Sequence, residues 1–130
     1  MIETINTTTT TLTAGQTIPL GSVTARTNAN VSISNDSLQI NRAGYYNVSG
    51  QFVVTGTSAG NITIQLYANG TAINGAYSTV TVAEGSTLTI DLDKIVKILP
   101  SSNANKVDLT FKTLTTCTLA NSIVNIQKVI

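Results

Sequence analysis

The chain has 130 residues and a mass of 13.6 kDa, which fits one domain spanning residues 1–130. Only 10% of its residues are charged and its formal net charge is +1, which excludes the clustered basic surface that binds nucleic acid. Tryptophan is absent and aromatic residues are few, so valine, isoleucine and leucine must fill the core, and abundant threonine adds to the indication of an all-β protein.

Turn signals divide the first part of the chain into short strands, and no segment has the apolar spacing of a helix. A first strand is predicted over residues 4–13, which include five consecutive threonines, and a short continuation over residues 17–20. Residues 31–33 and 38–40 should form a hairpin around Asn35 and Asp36, since both residue types favour turns.

The strand that begins at Gly44 has the clearest alternation in the chain. Side chains of one parity are apolar, namely Tyr46, Val48, Phe52 and Val54. The other parity carries Asn47, Ser49 and Gln51. Because successive side chains of a strand point to opposite faces, the first set is predicted to face the core and the second an outer surface.

The next strands follow the same logic. Ile62, Ile64 and Leu66 alternate, which predicts core positions for Ile64 and Leu66, and Asn69-Gly70 then predicts a tight hairpin. A shorter strand carries Val80 and Val82.

Apolar residues alternate from Leu88 onward until Lys94 interrupts the pattern. Either a bulge lies near Asp93, or Lys94 extends to solvent from a crowded position. A further strand carries Val107, Leu109 and Phe111.

The final segment, residues 123–130, is apolar on both parities. Two-sided burial is typical of a central strand with something packed on each face. We therefore expect one face to meet the core and the other to meet a partner, which is the first indication of self-association.

Side chains for most enzymatic chemistry are missing. The sequence has no histidine, which excludes Ser-His-Asp and Cys-His nucleophiles, and its single cysteine, Cys117, supplies neither a disulfide nor a zinc site. Asp91 and Asp93 would share one strand face, where a solvated surface is the preferred interpretation and a cation site or a general acid/base pair the alternatives. We expect no enzyme activity and no cofactor.

Four segments, in this order, resemble the C1q/TNF-like jelly roll of small phage virion proteins and of the C-terminal tips of bacterial collagen-like spore-surface proteins. They are residues 14–20 (AGQTIPL), 38–48 (LQINRAGYYNV), 66–73 (LYANGTAI) and the closing strand 123–130. The resemblance implies a single sandwich of two antiparallel sheets that forms a homotrimer. It also implies that one outer sheet face lines the threefold axis. The interface residues would be Asn47, Ser49, Gln51, Val53, Ile123, Asn125, Gln127 and Val129.

The leading hypothesis is a non-enzymatic structural protein of a phage virion, either a capsid decoration or a head-fibre component. Its partners would be its own copies and the major capsid or other virion proteins, with residues 1–13 as a candidate docking strand. No signal peptide or transmembrane helix is recognisable, so we expect assembly in the host cytoplasm and location in the virion, without membrane or nucleic-acid contact.

Two further functions stay open. The first alternative is a glycan- or receptor-binding tip of a tail fibre or baseplate, in which Tyr67 and Tyr77 could stack on a host-surface sugar, although packing against a neighbouring subunit is the preferred interpretation of both tyrosines. Such a tip needs loops with aromatic and carboxylate side chains, whereas the loops over residues 56–60 and 100–105 have small, bland side chains. A spore-surface trimer is the second, although the chain lacks the collagen-like stalk of such proteins.

Overall fold

The computed structural model describes residues 1–26, 31–34, 36–98 and 107–129. Within these ranges it contains eleven strands and no helix, which confirms the all-β prediction. The strands are β1 (Ile2–Asn6), β2 (Thr10–Leu12), β3 (Ser22–Arg26), β4 (Val31–Ser34), β5 (Ser37–Ile40), β6 (Gly44–Gly56), β7 (Gly60–Ala68), β8 (Thr71–Val82), β9 (Thr87–Ile98), β10 (Val107–Thr113) and β11 (Cys117–Lys128). A membrane-spanning helix is accordingly not found in the described ranges.

The strands form two antiparallel sheets that pack face to face. The six-stranded sheet has the order β3-β1-β11-β6-β9, with β2 also paired to β11. The five-stranded sheet has the order β4-β5-β10-β7-β8. Most neighbours are distant in sequence, so the chain crosses repeatedly between the sheets, as a jelly roll requires.

The core lies between the two sheets. Tyr46, Val48, Phe52, Val54, Ile64 and Leu66 all lie there with at most 1% of their surface exposed. The rings of Phe52 and Phe111 pack with their centroids 5.1 Å apart and tilted by 60°. Gly50 makes room for this pair, because a Cβ atom at that position would lie 2.6 Å from Cε2 of Phe52.

The strand predicted over residues 4–13 is in fact two strands. The Asn6 side-chain oxygen accepts a hydrogen bond from the Thr8 amide at 3.2 Å, a local turn that ends β1 before the exposed residues 7–9. Both β1 and β2 then pair with β11.

This arrangement restricts how residues 1–13 could dock on another protein. Strand β1 pairs with β3 as well as β11, so both of its edges are occupied within its own chain, and Ile2 and Leu12 are fully buried. A docking role would therefore involve the exposed threonines over residues 7–9 and the outer edge of β2.

Of the other predicted turns and connections, two hairpins are confirmed and one short strand is not found. Residues 17–20 are not a strand but an extended segment with one bridge, between Thr17 and Lys112. Asn69 and Gly70 have positive φ, 50° and 81°, and form the predicted tight hairpin between β7 and β8. Strands β4 and β5 form the predicted hairpin with Asp36 at φ 63°, whereas Asn35, the loop over residues 100–105 and Ile130 lie outside the described residues.

Strand β11 is central, as predicted, and contains a β-bulge. The pairing of β11 with β6 shifts between Leu119 and Asn121, which leaves Ala120 without a partner in the register. The inward side chains are Cys117 and Leu119 before the bulge, and Ser122, Val124 and Ile126 after it. The bulge thus reverses which parity faces the core.

The interruption at Lys94 is explained without a bulge. The register between β6 and β9 is continuous and pairs Val48 with Lys94, so Lys94 occupies a core-facing position. It is half-buried, whereas Asp93 and Ile95 on either side are exposed on the opposite face. The continuous register rules out the bulge, and the half-buried Lys94 fits the alternative in which the lysine extends to solvent.

Candidate self-association surface

The side of the six-stranded sheet that points away from the core, here called the outer face, contains every predicted interface residue. Strand register arranges its side chains in rows that cross the sheet. Three central rows are Ile95-Asn47-Gln127, Asp93-Ser49-Asn125-Glu3 and Asp91-Gln51-Ile123-Ile5, followed by Thr89-Val53-Asn121. Val129 lies at the end of this face, where its amide donates to the Tyr45 carbonyl at 2.8 Å.

One end of the outer face is apolar. Tyr45, Ile95 and Val129 are 38%, 59% and 46% exposed, respectively. The Lys97 ammonium group lies 5.8 Å from the centre of the Tyr45 ring and partly covers it. The sequence pattern did not single out Ile95 or Tyr45. The alternation of Asp93, Ile95 and Lys97 on the parity opposite Leu92 was the signal that could have identified Ile95.

The middle of the outer face is an acidic groove of about 310 Å³. Its lining residues are Glu3, Ser49, Gly50, Gln51, Asp91, Asp93, Ile123 and Asn125. The Ser49 hydroxyl donates to Asp93 at 2.5 Å, and the Thr24 hydroxyl donates to Glu3 at 2.9 Å. These hydroxyl donors hold two of the carboxylates in place by charge-assisted hydrogen bonds.

The carboxylates of the described part of the groove do not form a set of metal ligands. Among the residues that the structure describes, no group of three or more histidine, cysteine, aspartate or glutamate side chains is close enough to hold a metal ion. Asp91 and Asp93 are both exposed on the same face, as predicted, and Asp93 is engaged by Ser49.

The opposite end of the outer face is a row of threonines from four strands. Register aligns Thr11 of β2, Thr118 of β11, Thr55 of β6 and Thr87 of β9. The hydroxyl groups of Thr55 and Thr87 are 2.8 Å apart and share a hydrogen bond. The outer face thus changes along the strands from apolar through acidic to hydroxyl-bearing.

The five-stranded sheet presents a different surface. Tyr77 on its edge strand β8 is 58% exposed. Tyr67 is half-buried, and the ammonium group of Lys112 lies 4.9 Å from its ring centre. Of these two tyrosines, only Tyr77 is fully available for stacking on another molecule.

Cys117 is a core side chain rather than a reactive thiol. It is fully buried, and its sulfur lies 3.7 Å from the Thr113 hydroxyl. Burial raises the pKa of the Cys117 thiol above its usual value, and the contact with Thr113 offsets only part of that rise. The thiol therefore stays protonated and unreactive at neutral pH.

Solved structures share this arrangement of strands. The globular domain of zebrafish complement 1qA protein superposes with a TM-score of 0.74 and 8% identity, covering 99% of this chain and 96% of that one. Eiger TNF from S. frugiperda gives 0.76 and 10% over 99% and 92%, and murine APRIL at pH 5.0 gives 0.75 and 8% over 98% and 97%. The chain has the C1q/TNF-like jelly-roll fold.

The likeness to C1q/TNF-like domains at 8–10% identity is one of fold alone. No protein-family model and no curated protein sequence matches the chain. Function must therefore be inferred from the surfaces that this jelly roll exposes.

Proposed function

We propose that the protein is a non-enzymatic structural component of a phage virion, a homotrimer that decorates the capsid or forms part of a head fibre. The observation that carries this proposal is the outer face, where exposed Tyr45, Ile95 and Val129 stand at one end and Ile123 is exposed near the middle. The sequence resemblance to small phage virion proteins and the C1q/TNF-like fold support it. So does the low charge, because a surface with few charges is poorly protected against association.

Self-association through the outer face has a physical basis in its rows. Ile95 is more than half exposed in the single chain. Its burial in an interface would be favourable, because burial of apolar surface contributes about 25 cal/mol of free energy for each Å² removed from water. The polar middle rows need not pack dry, since Asn47, Ser49 and Gln51 can hydrogen-bond across an axis through water. A closed ring satisfies such head-to-tail contacts without forming filaments.

The apolar end of the outer face provides a matched test of assembly. Ile95 and Tyr77 are exposed to nearly the same degree, 59% and 58%, but lie on different sheets. We expect the wild-type protein to sediment as a trimer. Ile95→Lys should weaken the trimer by at least about tenfold, because it replaces an apolar contact with a charge that would have to be desolvated. Tyr77→Lys, on the other sheet, should sediment as the same trimer as the wild-type protein. A monomeric wild-type protein, or equal effects of the two substitutions, would reject the outer face as the interface.

Virion location needs a separate experiment. Gradient-purified particles of the phage that encodes the chain should contain it at a fixed ratio to the major capsid protein, measured by quantitative mass spectrometry. Cryo-electron microscopy should then show threefold features on the capsid or a fibre. If the protein forms a trimer but is absent from purified particles, the proposed self-association stands and the proposed virion role is rejected.

Exposed Tyr77 favours a second candidate, a glycan- or receptor-binding tip of a tail fibre or baseplate. An exposed aromatic face can stack on a sugar ring. Binding on a glycan array that disappears in Tyr77→Ala would support this candidate, and a blank array would reject it.

A further inference from the structure

Strand β8 contains an unusually wide bulge on the five-stranded sheet. Its register with β7 pairs Gln65 with Tyr77 and Tyr67 with Ala72. Residues 73–76 therefore stand opposite the single residue Leu66. Asn74-Gly75, a dipeptide that is typical of turns, lies within these residues.

Both ends of the bulge are held firmly. The Gln65 side-chain nitrogen lies within hydrogen-bond distance of the carbonyl oxygens of Ile73 at 2.8 Å, Leu66 at 3.0 Å and Ala76 at 3.1 Å, and its two N–H groups are shared among these three acceptors. Gln65 itself is only 8% exposed, and Ala76 is fully buried in the core. The Gln65 side chain therefore connects the two ends of the bulge, Ile73 and Ala76, and fixes them relative to each other.

The crest of the bulge is free. Asn74 and Gly75 are exposed, Gly75 has φ 76°, and a Cβ atom added there would meet nothing within 4 Å. Throughout the described parts of the chain, no hydrogen bond from another residue holds the Asn74 carboxamide.

We infer that Asn74 is a site of spontaneous deamidation. The Gly75 backbone nitrogen loses its proton and attacks Cγ of Asn74, the C–N bond to the side-chain nitrogen breaks, and ammonia leaves with the proton it requires. The resulting five-membered succinimide is opened by one water molecule to aspartate or isoaspartate. Glycine at position 75 favours the step because no side chain blocks the approach of its nitrogen.

The same dipeptide occurs at Asn69-Gly70 but is protected there. The Asn69 side-chain oxygen accepts from the Asp108 amide at 2.9 Å, and the Asn69 amide donates to the Asp108 carbonyl at 2.9 Å. Positive φ at both residues fixes the tight turn. The carboxamide must break its hydrogen bond to the Asp108 amide, and the turn must distort, before Asn69 can react, which should slow its deamidation by at least about tenfold relative to Asn74.

The modification would change both the charge and the backbone of the crest. One new carboxylate removes the formal net charge of +1, and a chain without net charge is less soluble. The isoaspartate product also adds a methylene to a loop whose ends are fixed by Gln65.

The test is incubation of the native protein at mildly alkaline pH, followed by electron-transfer fragmentation of the peptide that contains both asparagines. A parallel sample in urea is the control for the unfolded chain, and labelling by an isoaspartyl methyltransferase with S-adenosylmethionine detects the isoaspartate product. We expect fast conversion of Asn74 and slow conversion of Asn69 in the native sample, and similar rates at the two sites in urea. Native Asn74→Gln should form isoaspartate only at the slow rate of Asn69. Native rates that are equal at the two sites, or a native Asn74 that stays intact while the urea sample reacts, would overturn the inference.

Discussion

Two buried threonines of the same sandwich should respond in opposite directions to the same substitution. Thr4 and Thr113 are both fully buried. The Thr4 hydroxyl has no hydrogen-bond partner among the described residues. The Thr113 hydroxyl donates to the Thr115 carbonyl at 2.6 Å and accepts from the Thr115 amide at 3.4 Å. Valine has nearly the same shape as threonine, so Thr→Val isolates the hydroxyl at each site.

The expected changes follow from the hydrogen-bond counts. At Thr4, valine removes an unsatisfied buried hydroxyl and should raise the free energy of unfolding by about 1–2 kcal/mol. At Thr113, valine removes one good hydrogen bond, one weak one and the 3.7 Å contact with the Cys117 sulfur, and should lower the free energy of unfolding by about 1–2 kcal/mol. For a chain of this length each kcal/mol corresponds to a shift in Tm of about 4 °C.

The measurement is equilibrium denaturation followed by far-ultraviolet circular dichroism, since the chain has no tryptophan. All samples need the same protein concentration, because association contributes to apparent stability. Both threonines face the core, so the outer face is unchanged in either variant. If Thr4→Val destabilises the protein as much as Thr113→Val does, the assignment of Thr4 as an unsatisfied position is wrong.

Three further substitutions test other parts of the fold. Gly50→Ala should lower the free energy of unfolding by about 1–3 kcal/mol, because the new Cβ would lie 2.6 Å from the Phe52 ring. An unchanged midpoint of denaturant unfolding would show that the ring moves aside at no cost. Lys94→Val should raise the free energy of unfolding by about 1 kcal/mol, because an apolar side chain would replace a charge at a core-facing position. It should also increase light scattering, because an inward charge on the edge strand β9 discourages the addition of strands from other molecules. Unchanged scattering would contradict this second expectation. The raised thiol pKa of Cys117 means that the unfolded chain loses this proton first, so stability should fall as pH rises above the usual thiol range, and Cys117→Ala should flatten that decline. An equally steep profile in Cys117→Ala would assign the decline to other groups.

Strand parity predicted the environment of β6 because the strand is long and central. Tyr46 and Phe52 point inward and Asn47 and Gln51 outward, as the alternation requires. The same reasoning failed for the first strand, since a run of threonines has uniform β-propensity. The break after Asn6 depends on a side-chain hydrogen bond that the composition does not reveal.

The candidate surface could be predicted only in part. Its central residues follow from the parity of β6 and from the resemblance, but the rows depend on register between strands that are far apart in sequence. Ile95 was missed because Lys94 at a core-facing position obscured the alternation, and only the position of β9 at a sheet edge explains why a lysine is tolerated there.

The bulge at Ala120 determines which chemistry this protein displays on the outer face. If β11 had no bulge, so that Ala120 paired with Val53 and the pairing near Cys117 were kept, Ile123 and Val129 would turn toward the core, and Val124 and Ile126 would turn outward. Nothing in the composition of the strand would have changed. The surface that two copies can offer each other is therefore determined by where a strand bulges as much as by the identity of its residues.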